Sequence, residues 1–292
     1  KDISKSKISS GPAKVVGKMV SSMISTFSFM GNLLLLLLRT VVRLGTITGV
    51  AKGIEKCKRP EKMLVLYEFQ GCPFCLKVRE ALQVLGLDVL IYPCPRTTMV
   101  KRGVTEGSRF RGKAQELGGH VRFPLLIDEN NDVIMYESDK IVEYLWTMYG
   151  DKATKPLLFR AFTSVFLQWT VFLASALRPS RGMKMVPSRA PEKPLILWGY
   201  ESSPFVTMVL EVLCEMETPY ILRNVGKFHT EKRKEFMAKY AHMVSDWRKG
   251  IHAIQVPLLE DPNTGTVMLE SADICTYLRN TYAPETSAPK LK

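Results

Sequence analysis

The sequence predicts an α/β protein: two tandem copies of a βαβ-α-ββα unit, preceded by an N-terminal extension with a hydrophobic helix. Two observations predict the tandem units. Leu64-Val65-Leu66-Tyr67-Glu68-Phe69, followed by Gly71-Cys72-Pro73-Phe74-Cys75, is matched by Leu195-Ile196-Leu197-Trp198-Gly199-Tyr200 and Ser202-Ser203-Pro204-Phe205-Val206, at an offset of 131. Phe123-Pro124-Leu125-Leu126, Glu137-Ser138 with Ile141, and Tyr144-Leu145 return as Val256-Pro257-Leu258-Leu259, Glu270-Ser271 with Ile274, and Tyr277-Leu278, at an offset of 133. Ordered matches that differ by one two-residue insertion are the mark of a duplication, and each copy is about the size of one small domain. A third observation predicts the extension. Met19 to Leu38 holds no charged residue and ends in six leucines, a length that reaches the ~20 residues of a membrane span.

The elements follow in order within each copy. The apolar run 63–69 suits a buried strand. Pro73 favours the first position of a helix, with Val78, Ala81, Leu82 and Leu85 as its apolar stripe and Gly86 as its stop. Asp88 to Tyr92 reads as a second strand, and residues near 107–118 as a polar helix or loop ending at Gly118-Gly119. Leu125-Leu126-Ile127 and Val133-Ile134-Met135-Tyr136 form a hairpin across Glu129 to Asp132. A last helix runs from Ser138, read as its N-cap, to Tyr149. The second copy repeats this, with Asp261-Pro262-Asn263-Thr264-Gly265 as its turn and Ser271 as its cap. The domain division is therefore 1–62 basic extension, 63–150 first module, 151–193 helical linker, 194–283 degenerate module and 284–292 tail. In the linker, Ala161 to Leu177 is uncharged and lies between Pro156 and Pro179, which predicts a helix packed between the modules.

The charge distribution separates the folded modules from what surrounds them. The net charge is +13. The extension carries +9 and the linker +6, whereas the first module carries −1, the second −2 and the tail +1. A nucleic-acid reader concentrates basic charge on a folded face, so no nucleic acid is expected as partner. Basic charge on an extension fits an anionic membrane surface or an acidic protein, or serves solubility alone. Three placements fit residues 19–38: a spanning helix, an interfacial or partner-docked helix, and a helix packed on its own domain. The expected partner of residues 1–60 is a membrane surface or membrane-protein complex, with peripheral or single-pass attachment. The Lys- and Ser-rich start resembles the end of an organelle transit segment.

Six cysteines are too few for a disulfide scaffold, which points to reduced thiols. Cys72 sits just before a helix, where free backbone N–H groups and the helix dipole favour its thiolate, and Lys77 and Arg79 are expected to add positive charge. Cys75 lies about one turn on and suits a resolving thiol. No metal is expected: zinc needs four ligands and there is no second Cys-x-x-Cys. A zinc site with Cys57 and Cys94, or an iron–sulfur cluster shared between chains, is the competing reading. Cys94, Cys214 and Cys275 read as buried residues, and His120, His229, His242 and His252 show no ligand spacing.

This order of elements, with Cys-Pro-x-Cys after the first strand and Pro before the third, resembles the glutaredoxin and glutathione-transferase N-terminal branch of the thioredoxin fold. It is most similar to tandem glutathione-transferase N-terminal-domain proteins of photosynthetic organisms, on Tyr67 to Cys75, Tyr92-Pro93-Cys94-Pro95, Tyr136-Glu137-Ser138-Asp139 and Leu269-Glu270-Ser271-Ala272-Asp273. The resemblance covers roughly 63–283. It implies a plastid location, a cis bond before Pro124, and glutathione as cofactor. Glutathione would lie along the Phe123 backbone, with its γ-glutamyl end at Glu137 and Ser138. Ser203 and Val206 replace the dithiol in the second copy and Val256 stands at the Phe123 position, while Pro257, Glu270 and Ser271 persist, either as a glutathione-shaped pocket or as a turn and cap. Neither module is followed by a helical domain of the usual transferase sort, which removes the expected wall for a bulky electrophile. The implied function is glutathione-linked thiol–disulfide exchange, on glutathione or a protein disulfide, through Cys72 and Cys75. The alternative is a non-catalytic accessory subunit of an organelle membrane complex.

Overall fold

The computed structural model describes residues 30–31, 33–38, 49–97, 107–163, 169–178, 180–228, 230–244 and 254–284. The first copy runs β1 (Leu64–Glu68), α1 (Pro73–Val84), β2 (Val89–Pro93), α2 (Arg111–Gly118), β3 (Leu125–Asp128), β4 (Val133–Met135) and α3 (Ser138–Tyr149). The linker contributes α4 (Leu157–Thr163) and α5 (Thr170–Ala176). The second copy runs β5 (Leu195–Gly199), α6 (Pro204–Glu215), β6 (Tyr220–Asn224), α7 (Thr230–Tyr240), β7 (Leu258–Asp261), β8 (Thr266–Leu269) and α8 (Ser271–Thr281).

The two copies share one sheet. Its order is β4-β3-β1-β2-β6-β5-β7-β8, and the join is an antiparallel pairing of β2 with β6. Val89 faces Leu222, Leu90 faces Ile221 and Ile91 faces Tyr220. Val89 and Tyr220 are equivalent positions of the repeat, as are Ile91 and Leu222, so the pairing exchanges equivalents about Leu90 and Ile221. It is an isologous contact made within one chain.

Strand alternation then assigns the layers. Leu64 and Leu66 of β1 and Leu195 and Leu197 of β5 enter one large core with α1, α3, α6 and α8. Tyr67 turns to the opposite face, against Ala114 of α2. Trp198 does the same, against Phe236 and Tyr240 of α7. A period of two thus places helices on both faces of the sheet.

Residues 49–62 pack on the first module. Ala51 and Ile54 are in the large core, and Arg59 donates to the carbonyls of Leu85 at 2.6 Å and Ile54 at 2.9 Å. Arg59 therefore holds the C-terminal end of α1, where a cation is favoured. Of the predicted apolar helix, residues 30–31 and 33–38 are described and helical, with Leu36 buried and Met30, Leu34, Leu37 and Leu38 exposed. The rest of 19–38 lies outside the described residues. Among the described residues no helix is long and apolar enough to cross a membrane.

The linker differs from expectation. Residues 164–168 of the expected helix lie outside the described residues, and α5 packs on α1 through Val171 and Ala174 against Leu76. Its C-terminal flank reaches the second module, where Arg178 donates to both carboxylate oxygens of Glu211 on α6, at 2.8 and 2.5 Å. Ser138 and Ser271 start their helices, but the caps are Glu137 and Glu270, with no side-chain cap bond in either case.

Candidate functional site

β1 delivers the chain to the loop Phe69-Gln70-Gly71, and Cys72 then takes an extended conformation with Pro73 opening α1. Cys72 is thus the helix N-cap, and its Sγ accepts from the Cys75 amide at 3.4 Å. Hydrogen bonding from Cys75 is the strongest influence on Cys72 and lowers its thiol pKa against the opposing effect of burial. Burial pushes the Cys75 thiol well above the ordinary range, and the bond to Cys72 adds to this. The two thiols are therefore distinguished by environment.

The expected help from Lys77 and Arg79 is absent. Lys77 forms an ion pair with Asp139. Arg79 is fully buried between the modules, bonded to Glu68 and, through Nε at 3.0 Å and Nη2 at 3.3 Å, to Glu201 of the second copy. Two carboxylates neutralise its charge, and it meets the Cys72 loop through a bond from Nη2 to the Gln70 carbonyl at 3.2 Å rather than through an ion pair with the Cys72 sulfur.

Cys72 lines a cavity of about 530 Å³. Phe123, Pro124, Glu137 and Ser138 line the same cavity, so the structure gathers these four predicted residues around the sulfur. Cys75 does not reach it and lies fully buried behind Cys72. The Phe123–Pro124 bond is cis, as is Val256–Pro257. Glu137 has φ 70° and Glu270 has φ 70°, a region that a non-glycine residue occupies at a cost of about 1–3 kcal/mol.

The sequence reading missed three arginines in the lining, Arg96, Arg111 and Arg122. Arg111 begins α2 and donates to the carbonyls of Pro95 at 2.8 Å and Cys94 at 2.9 Å. Its guanidinium lies 5.1 Å from the Phe123 ring centre, and that of Arg96 lies 5.5 Å from Phe69. The available signal was their position: Arg96 follows β2 and Arg111 precedes β3, at the strand ends where α/β sheets bind ligands.

Also unforeseen is a linker segment laid over the dithiol loop. Gly71 N–H donates to the Gly182 carbonyl at 3.1 Å. Arg96 exchanges backbone bonds with Met183 and Met185 at 2.6 and 2.7 Å. Met183 packs against the cluster of Phe69, Cys72, Cys75 and Cys214. The Cys214 Sγ accepts from the Gln70 amide at 3.2 Å and donates to the Gly182 carbonyl at 3.3 Å. The second module thus contributes a thiol to the packing around the first module's dithiol.

The second copy's loop has another task. The Ser203 hydroxyl accepts from the Val206 amide at 3.4 Å and caps α6, and the Glu270 carboxylate accepts from Gln255 at 2.5 Å. Among the described residues no group of three or more His, Cys, Asp or Glu is placed to hold a metal ion. His120 and His242 are exposed, and His229 and His252 lie outside the described residues.

A helix-capping residue before a helix-opening proline, and a cis-proline, stand in both copies: Cys72 and Pro124 in the first, Ser203 and Pro257 in the second. The model for the glutathione S-transferase N-terminal domain matches residues 66–153 and again 197–286. The chain belongs to that family. Its two copies are tandem N-terminal-type domains with a thioredoxin-like fold, and membership points to glutathione-related function. Among solved structures, glutathione transferase BmGSTD1 of Bombyx mori is similar, at 23% identity and a TM-score of 0.25. That match covers 32% of this chain and 38% of the other. No curated protein matches.

Proposed function

We propose that the chain is a glutathione-linked thiol–disulfide oxidoreductase in which Cys72 is the nucleophile and Cys75 the resolving thiol. The observation that carries this reading is the Cys72 sulfur at a helix N-terminus, on the wall of the cavity that also exposes Phe123, Pro124, Glu137 and Ser138. The volume falls within the ~300–1,000 Å³ of small-ligand sites. The Phe123 backbone on the cavity wall is the partner for an extended tripeptide. The start of α3 offers free N–H groups to a carboxylate, and Glu137 suits an ammonium group.

The chemistry balances on two thiols. The Cys72 thiolate attacks the glutathionyl sulfur of a mixed disulfide, expels the other sulfur as a thiolate that takes up a proton, and becomes Cys72–S–SG. Cys75 gives up its proton and attacks the Cys72 sulfur. This forms the Cys72–Cys75 disulfide and releases glutathione thiolate. Two glutathione molecules restore the dithiol and leave as glutathione disulfide. The test is turnover of the mixed disulfide of glutathione and 2-mercaptoethanol. Cys72→Ser is expected to abolish it and Cys75→Ser to retain a one-thiol rate, and full activity in Cys72→Ser refutes the assignment.

A second reading is favoured by the shared sheet and the lost second dithiol: a rigid accessory unit on a plastid membrane complex, docked through residues 1–60. Extraction from membranes by salt, by detergent or by neither tests it. Absence of the chain from any membrane fraction refutes it.

A further inference from the structure

We propose that α5 and Phe74 form a docking platform for an apolar side chain of a polypeptide substrate, next to the cysteine whose mixed disulfide Cys72 attacks. This rests on the reading of Cys72 as a thiol–disulfide centre and names the substrate class it serves.

Helix α5 is apolar on two sides. Val171 and Ala174 face inward on Leu76. Trp169, Phe172 and Leu173, spaced as one face of a helix, point outward with 55%, 48% and 40% of their surface exposed. A helix that is apolar all round is ordinarily covered on all sides. The outward stripe continues onto Phe74, 48% exposed, whose ring meets Phe172 edge-on with centres 5.4 Å apart. Together these four side chains leave on the order of 400 Å² of apolar surface, the size of patch that is often functional on a monomer.

The occupant follows from where the stripe leads. Phe74 lies between the two cysteines and also lines the Cys72 cavity, so platform and cavity share a wall. The glutathionyl half of a mixed disulfide belongs with Phe123, Pro124 and Glu137, and its other half leaves the Cys72 sulfur beside Phe74. A platform running from Phe74 across Phe172 to Trp169 is longer than a small thiol can cover, and suits a residue or two of peptide. A membrane or a second copy could cover the stripe, but neither gives a reason for it to end inside the dithiol loop. Residues 169–173 lie outside both stretches matched by the family model, so the platform is a feature of this chain's linker rather than of the shared domain.

The test compares two glutathionylated peptides, one with Leu and Phe flanking the cysteine and one with Ser and Gly. The full chain is expected to favour the apolar peptide by about tenfold in kcat/KM, the scale of hydrophobic-pocket discrimination. Phe172→Ala and Leu173→Ser are expected to remove most of that preference, with the 2-mercaptoethanol mixed disulfide turned over at the parent rate. Equal use of both peptides by the parent, or a preference that survives both substitutions, overturns the platform while leaving the oxidoreductase reading intact. If neither disulfide is turned over, that reading fails on its own, and Trp169 emission in Cys72→Ser decides the platform. A change with the apolar peptide alone, lost in Trp169→Phe, supports it, and no change overturns it. A concentration-dependent dimer, or binding to anionic vesicles, that Leu173→Ser abolishes assigns the stripe to another occupant and overturns it as well.

Discussion

Replacing Arg79 with leucine, the residue at the equivalent position 210 of the second copy, tests whether the modules are joined by a buried ion cluster. Arg79 is 1% exposed and donates to Glu68, to Glu201 through two nitrogens, and to the Gln70 carbonyl at 3.2 Å. Leucine leaves two carboxylates in the interior without their cation. Breaking a buried pair in this way costs about 3–5 kcal/mol, of which the new apolar packing returns a part, so a net loss of about 3 kcal/mol is expected at neutral pH. The pH dependence has a definite sign. Burial already raises the Glu68 pKa against the pull of Arg79, and removing Arg79 raises it further. A carboxyl with a raised folded-state pKa binds a proton more readily when folded, so stability falls as pH rises above the unfolded value of about 4.3. The penalty is therefore smaller at pH 5 than at pH 8. Urea unfolding of the full chain at both values measures it. Adding Glu68→Gln and Glu201→Gln to Arg79→Leu is expected to recover at least half. A single variant within 1 kcal/mol of the parent at pH 8, or a larger loss at pH 5, refutes the reasoning.

Three further outcomes are expected. Gly182→Ala places a Cβ 2.5 Å from the Gln70 Cβ at a φ of 59°, so the linker segment must lift from the dithiol loop. This costs about 2–3 kcal/mol and speeds Cys72 alkylation, and unchanged melting and alkylation together count against the contact. The Asp128 carboxyl, which burial alone would raise, is held down at about 2 by bonds from Tyr144, Tyr149, Asn130 and Asn131. Asp128→Asn is expected to cost about 2 kcal/mol at pH 7, and the deficit should shrink as pH falls from about 4 through 2, where the parent loses the same bonds. A deficit independent of pH in acid unfolding curves refutes this. In the reduced native protein, iodoacetamide should modify Cys72 with a midpoint below that of an ordinary thiol and leave Cys75 untouched until unfolding. Simultaneous labelling of both contradicts the assigned environments.

The repeat made most of the fold legible because its signals are local. An apolar β-branched run, a Pro-opened helix and an Asx turn each declare themselves within a few residues, and duplication shows each twice. That Cys72, Phe123, Pro124, Glu137 and Ser138 belong together was implied by the family resemblance, whose motifs sit where strands and helices begin or end, and they line one cavity. What escaped depends on partners distant in sequence. Val89–Pro93 and Tyr220–Asn224 read as ordinary strands, and nothing in either names the other as neighbour. Arg79 read as a positive charge near a thiol because Glu201, its second anion, lies 122 residues away. Arg96 and Arg111 lacked a motif, and the segment around Gly182 lacked regular structure. The expectation that α5 would pack wholly between the modules failed because composition cannot tell an apolar stripe turned to the interior from one turned outward.

The shared sheet gives the second copy a physical reason to persist without its thiols. In a lone module β2 would be an edge strand with unpaired backbone groups, a site prone to unwanted pairing. β6 occupies that edge in a register that exchanges equivalent residues. Other contacts from the second copy converge on α1 and its flanks. Glu201 meets Arg79, Cys214 meets the Gln70 amide, the Asn224 side-chain amide donates to the Leu87 carbonyl at 2.5 Å, and Lys232 donates to the Gly86 carbonyl at 2.7 Å. These hold both ends of the helix whose first turn positions Cys72. None needs a thiol at 203 or 206, where a serine cap and a buried valine keep α6 in place. That the second copy carries Gly199 and Leu210 where the first has Glu68 and Arg79 follows the same logic: one ion cluster at the module boundary uses the Glu68–Arg79 pair of one copy and Glu201 of the other. The asymmetry between the copies thus leaves the dithiol in one half and places in the other the contacts that hold the dithiol's helix.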